Sequence, residues 1–216
     1  MRTDRRRRRG VTAAAVLVLA GCVDDGPPAV ASDVEVRASG CSLVDDVSSG
    51  IVVADGIVLT AAHGLRGAVA VTADGVPGAV VAVDHRIDAA IVAVPTTGRP
   101  VAFAADVAPG RARIDGRPVV VERLVVAAVD EPRDDTTYRR RALVIDGDVA
   151  SGDSGSGVFG TDGRLLGMVF ATSTRRESVA YAVAASELQP FVESVLSSEA
   201  GPIGPSLRSP ATQAAC

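Results

Sequence analysis

The chain of 216 residues contains no lysine and no tryptophan, only two histidines and three cysteines, and just 3% aromatic residues. So few histidines and cysteines offer no cluster of metal ligands, and neither a metal nor a cofactor is expected. Long apolar runs are missing too. The single one, Val11–Ala20, is about half the length of a membrane-spanning helix, which excludes a polytopic membrane protein. Positive charge is scarce once the first residues are set aside. Residues 1–21 hold six Arg and one acid, leaving 16 Arg against 25 acids, net −9. An acidic body without a basic stripe argues against nucleic acid as a partner and against a polybasic membrane patch. What the chain has in quantity is apolar side chains, at 47%. That is enough to bury a core, and it excludes disorder, a collagen-like fold and a miniprotein held by disulfides alone. The length suits one domain of two lobes or two small domains.

The N-terminal segment has a separate character. Arg5–Arg9 form a charged region, Val11–Ala20 an apolar one, and small residues follow, the pattern of a secretory signal. It ends in Leu19-Ala20-Gly21-Cys22, which resembles the bacterial lipoprotein cleavage box; the alternative is an ordinary cleaved signal with a nearby Cys. The resemblance implies that Cys22 becomes the first mature residue and carries acyl chains. Several chains hold a protein on a bilayer far better than one, so a lipoprotein tethered to the outer face of the cytoplasmic membrane is expected. Cys41 and Cys216 then remain. In an oxidising compartment a disulfide joining them is expected, against the alternative of two separate thiols.

Residues 22–33 read as a linker rich in Pro, Asp and small residues. From Val34 the text is β. Short runs of Val, Ile and Leu recur at 50–53, 56–60, 68–72, 79–83, 90–94, 118–129, 138–145, 157–159, 165–170 and 179–183. Asp55-Gly56, Asp74-Gly75, Asp115-Gly116, Asp146-Gly147 and Asp162-Gly163 punctuate them as tight-turn signals. Strands at this spacing mean an all-β sandwich or barrel. Residues 95–111, with Pro, Gly and Thr clusters, read as a crossover between two halves. A helix over 187–197 is expected, with Ser186-Glu187-Leu188-Gln189 as a capping box and Leu188, Phe191, Val192, Val195 and Leu196 on one face. Residues 199–216 read as a tail.

Three segments carry chemistry together. Thr60-Ala61-Ala62-His63 follows an apolar strand, Asp88 immediately precedes another, and Gly152-Asp153-Ser154-Gly155 lies between two more. A serine hydroxyl is a poor nucleophile until a hydrogen-bonded imidazole takes its proton. The imidazole needs a carboxylate to fix its tautomer and stabilise its cation. The oxyanion formed on attack needs backbone N–H donors, which neighbouring glycines expose. Asp84 competes with Asp88 for the acid's place; the apolar run directly after Asp88 favours the latter. His85 reads as a surface loop residue, and Ser151 and Ser156 as turn residues.

In the order His, Asp, Ser and in the TAAH, DAAI and GDSG contexts, residues 41–196 resemble the trypsin-like (chymotrypsin-fold) serine proteases, of the bacterial secreted or envelope type. The resemblance implies an all-β fold of two antiparallel six-stranded β-barrels with a C-terminal helix. Within a domain over 34–198, barrel one would span about 34–105 and barrel two about 112–185. It also implies catalytic roles for His63 (general base), Asp88 (its orienter) and Ser154 (nucleophile), with the N–H groups of Gly152 and Ser154 as oxyanion hole. There are departures. Ser156-Gly157 follows GDSG where the family has Gly-Pro. Ile51-Val52-Val53 lies too close to His63 to be the freed N-terminus whose ammonium pairs the Asp before the serine in digestive enzymes. Asp153 must therefore find backbone amides or an Arg, such as one of Arg139–Arg141, and no zymogen cleavage of the digestive type is expected. Nor does the length leave room for a PDZ domain.

The resemblance further places a specificity pocket at Asp148, Phe170 and Thr172. Asp148, six residues before Ser154, would favour a basic substrate side chain, or is simply an acidic turn; Phe170-Ala171-Thr172 stands where relatives of trypsin have Ser-Trp-Gly. The expected protein is a monomeric serine endopeptidase acting through an acyl-enzyme on protein or peptide substrates outside the cytoplasmic membrane. The alternative is a catalytically inactive protease-fold binding protein of the cell envelope.

Overall fold

The computed structural model describes residues 33–40, 44–95, 98–131 and 136–199. Cys22, Cys41 and Cys216 lie outside them, and with them the expected signal segment, acylation site and disulfide. Six strands come first: β1 (Asp33–Gly40), β2 (Asp46–Ala54), β3 (Ile57–Ala61), β4 (Ala68–Ala73), β5 (Val76–Asp84) and β6 (Ala89–Ala93). A second six follow: β7 (Gly110–Ile114), β8 (Arg117–Glu131), β9 (Thr136–Asp146), β10 (Gly157–Gly160), β11 (Leu165–Thr172) and β12 (Val179–Ala184), and helix α1 (Ala185–Glu199) ends the domain. Each group of six closes into an antiparallel barrel, in the orders β1-β2-β3-β6-β5-β4 and β7-β8-β9-β12-β11-β10. The second order repeats the first. This is the all-β, two-barrel architecture that the resemblance implied.

The strand text follows from where each face points. β3 and β6 lie with one face inside barrel one and the other against barrel two, so both faces are buried and they read as continuous apolar runs. β1 alternates instead: Val34, Val36 and Ala38 are buried, while Glu35 faces water. Each barrel has its own filling, Val36, Val52, Val58 and Val92 in the first and Ile114, Leu143, Ile145 and Val158 in the second. A third cluster joins the barrels and includes Leu59, Ile91, Leu165 and Met168. Helix α1 covers this cluster with Leu188 and Val192, both fully buried, each contributing about 2 kcal/mol of burial. Its start differs from the capping box read in the sequence: Gln189 reaches forward to Glu193 (2.7 Å) rather than back to Ser186. The segment between the barrels stitches them together. Val101 N–H donates to Val52 O (3.0 Å), and Ala104 N–H and Leu165 N–H donate to Leu165 O and Ala102 O (both 2.9 Å).

Asp74-Gly75 and Asp115-Gly116 have positive φ at both residues (48° and 77°, 48° and 75°), the backbone a two-residue hairpin turn requires. Asp146-Gly147 is different. Asp146 ends β9, and Gly147 N–H donates to Ser178 O (2.8 Å), so the chain runs on into the loop that carries Ser154.

Candidate active site

β3 pairs with β6 in the register Ala61↔Ala89. The residues just after Ala61 and just before Ala89 are therefore neighbours, and these are the His63 turn (Ala62–Leu65) and Asp88. Ala62 N–H donates to Asp88 O (3.0 Å), fixing the two turns to each other. Asp88 has φ +52°, a left-handed conformation that aspartate tolerates better than most residues. This turn brings both carboxylate oxygens to one residue. Oδ1 accepts His63 N–H at 2.9 Å, and Oδ2 lies 2.7 Å from His63 Nδ1. Asp88 is buried and His63 half-buried. Asp84 turns elsewhere: Arg86 holds it at 2.7 Å, and the guanidinium overcomes the burial that opposes ionisation, so the carboxyl sits below its usual range.

Ser154 arrives from barrel two, on the loop between β9 and β10. The loop is clamped by its own amides, Asp153 N–H to Ala150 O (3.2 Å) and Ser156 N–H to Asp153 O (2.9 Å). It also docks on β2, where Ser49 N–H donates to Ser154 O (2.8 Å). Gly155 has φ +91°, and any Cβ there would strike the carbonyl oxygen of Ser49, so only glycine fits. The outcome is a hydroxyl oxygen 3.1 Å from His63 Nε2. A carboxylate on Nδ1 directs that proton to itself and leaves the Nε2 lone pair for the hydroxyl. Among the described residues, the amides of Gly152 and Ser154 donate to no backbone carbonyl outside regular strands, unlike those of Asp153, Gly155 and Ser156.

The partners of Asp153 are Ala150 N–H (2.8 Å) and Arg117 Nη2 (2.8 Å). Backbone amides or an arginine such as one of Arg139–Arg141 were expected; the structure supplies one of each, and the arginine is Arg117 of β8. Its hydrogen bond with Asp153 raises the guanidinium's own affinity for its proton. Arg117 also donates to Asp148 O (3.0 Å) and approaches Asp115 (3.5 Å), so it gathers the loop from behind. Asp148 is exposed and Phe170 is buried, while Thr172 is exposed. The Phe170 ring packs against Arg140 and Tyr181. Sequence reading missed Arg117 entirely; nothing about an Arg after an Asp-Gly turn marks it.

Ser156, fully buried, faces Asp115 (3.3 Å), and Asp33 of β1 accepts Gly157 N–H (3.3 Å) across the seam. Burial pushes the Asp33 carboxyl up to about 7, against the Gly157 amide and with help from the Asp115 charge. The folded protein thus keeps a proton that the unfolded chain loses near pH 4, and the stability this gives is fully present in acid and lost as pH rises through 7. Asp33→Asn, neutral at every pH, is expected to match the wild type at pH 3 and exceed it by a few kcal/mol at pH 8. Urea unfolding at the two pH values checks this; an equal difference at both would refute it. Beside Gly152 the seam carries an open depression of about 250 Å³ lined by Val47, Ser49 and Asp33. Among the described residues no cluster of His, Cys, Asp or Glu is arranged to hold a metal ion.

A family model described as a trypsin-like peptidase domain matches residues 48–168. No curated protein sequence matches the chain significantly. Among solved structures, the active form of the Rv3671c protease from M. tuberculosis is similar at TM-score 0.70 and 25% identity, covering 76% of this chain and 80% of that one. An inactive form of the same protease, with its serine replaced by alanine, gives TM-score 0.66 and 25% identity over 80% and 89% of the two chains. The HtrA-type protease AlgW with a tripeptide shares the fold at TM-score 0.62 and 14% identity, over 77% of this chain and 60% of that one.

Proposed function

Because the chain belongs to the trypsin-like peptidase domain family and is a serine-type endopeptidase, we propose that His63, Asp88 and Ser154 carry its reaction. The observation that supports this is an imidazole lying 2.7 Å from a buried carboxylate and 3.1 Å from a serine hydroxyl, at the seam of two barrels. Ser154 Oγ attacks the carbonyl carbon of the scissile bond while His63 Nε2 takes its proton. The negative oxygen is received by the N–H groups of Gly152 and Ser154. His63 then gives the proton to the leaving amine, the C–N bond breaks, and an ester to Ser154 remains. Water, deprotonated by His63, hydrolyses that ester and restores the hydroxyl. Asp88 stays ionised throughout and stabilises the imidazolium.

We further propose that the enzyme works outside the cytoplasmic membrane, tethered through acyl chains on Cys22, as a monomer and with Cys41 and Cys216 joined. The charged and apolar segments before Leu19-Ala20-Gly21-Cys22 support the location. For primary specificity, Asp148 near the Ser154 loop supports a preference for basic side chains. A fluorophosphonate probe tests the reading. Label is expected on Ser154, absent in Ser154→Ala, and in membrane fractions that Cys22→Ala leaves for the soluble one. A folded wild type that takes no label refutes the chemistry; label unmoved by Cys22→Ala refutes the anchor.

A further inference from the structure

We infer that Arg140 is a positioning residue for this reaction, holding the turn that carries Asp88 from the opposite barrel; the inference rests on the catalytic reading above. Arg140 is 4% exposed, a buried guanidinium in a protein whose other described arginines reach solvent. A buried cation is costly unless an anion and hydrogen-bond acceptors face it. Strand alternation along β9 turns Arg139 and Arg141 out to water and Arg140 inward, on the same face as Ala142. There its Nη1 lies 3.9 Å from Asp88 Oδ2, and its Nη2 donates to His85 O at 3.5 Å. The guanidinium therefore spans the turn from residue 85 to residue 88, the same turn in which Asp88 adopts a positive φ. A conformation of that kind persists only where surrounding structure holds it.

The groups around Asp88 divide the work. His63, from the turn after β3, takes the hydrogen bonds to both carboxylate oxygens. Arg140, from β9, supplies a permanent positive charge at a distance too long for a hydrogen bond, so it does not compete with Nδ1 for the Oδ2 lone pair. On Asp88's own turn, Arg86 is committed to Asp84 at 2.7 Å, which leaves Arg140 as the guanidinium within 4 Å of Asp88 among the described residues. From β11 the Phe170 ring lies 5.0 Å beneath the Arg140 guanidinium carbon, with the Tyr181 phenol of β12 behind it. Phe170 thus has a specific task. Its face seats the cation, and the cation faces the acid.

The test uses the full chain and three variants, R140M, R140K and R140Q, with a peptide substrate. Removing the cation is expected to lower kcat about 100-fold with KM within twofold, the cost of a misaligned catalytic group. R140K is expected to retain kcat within about threefold of wild type, and R140Q to resemble R140M. A proton NMR readout independent of turnover accompanies this: the low-field signal of the His63 Nδ1 proton persists in the wild type and R140K and moves or vanishes in R140Q. If R140M does not fold, the comparison of R140K with R140Q decides in the same terms. Equal losses in R140K and R140Q, or an unchanged R140M, overturn the inference. An unlabelled, inactive wild type would instead refute the catalytic reading, and the NMR comparison would still report on Arg140.

Discussion

Replacing His63 with Ala lowers kcat about a million-fold, and replacing Ser154 in the same chain lowers it no further. Each side chain is useless without the other. The hydroxyl 3.1 Å from Nε2 has no other base among the described residues, and the imidazole has no other nucleophile to serve. What remains after either loss is binding and the N–H groups of Gly152 and Ser154, which still favour the tetrahedral oxyanion over the planar carbonyl. The measurement is kcat on a peptide ester for the two single variants and the double. Losses that multiply in the double variant would show independent action and refute the triad. Because His63 and Asp88 lie on barrel one and Ser154 on barrel two, both single variants are expected to keep wild-type stability within about 1 kcal/mol.

The second large effect belongs to Arg117. Arg117→Met leaves the mostly buried Asp153 carboxylate with one backbone N–H and no cation. Breaking a buried pair costs several kcal/mol, but the guanidinium is a third exposed, so about 2 kcal/mol is expected here. Activity suffers more. Asp153 sits between Gly152 and Ser154, and its movement would displace the two N–H groups proposed to receive the oxyanion; kcat/KM is expected to fall about 100-fold. Adding Asp153→Asn should recover most of the stability, since no charge is then stranded, and little of the activity. Urea midpoints and kcat/KM on the four members of this cycle decide it. A single Met variant with unchanged activity would end the argument. In the digestive relatives this carboxylate waits for a freed N-terminal ammonium; here the cation is part of β8 from the moment the chain folds.

Much of this was legible from residues alone. The TAAH, DAAI and GDSG segments pointed to His63, Asp88 and Ser154, which the fold brings together, because their signal is local: small residues that permit a tight turn, an acid at a strand's edge, glycines around a serine. Ten of the twelve strands showed as apolar runs. The two that did not, β1 and β7, alternate Val-Glu-Val-Arg and Arg-Ala-Arg-Ile, and their charged outer faces dilute the apolar signal. Asp146-Gly147 looked like its four neighbours but closes no hairpin, because β9 leads into a loop shaped by Asp153 and Arg117 rather than into a returning strand. Arg117 was missed, and Arg140 was offered to Asp153 when it faces Asp88, for a common reason. Their partners are 36 and 52 residues away in sequence, and only barrel closure brings them together. For Arg140 a signal existed: period-two alternation along β9 sets the middle arginine of three apart from its neighbours. The repeated strand order left no repeat in the text, since each position asks only for an apolar residue facing inward.

Closure of both rings also bears on how the molecule behaves among many copies of itself. In each ring every strand has two neighbours, but β8 and β9 run on beyond the ring: β8 pairs with β7 only over Arg117–Val121 and β9 with β12 only over Ala142–Asp146, so the rest of this hairpin has a ladder partner on one side only. Among the described residues, strand addition by a second chain would find its opening along this overhanging hairpin and not on the closed part of either ring.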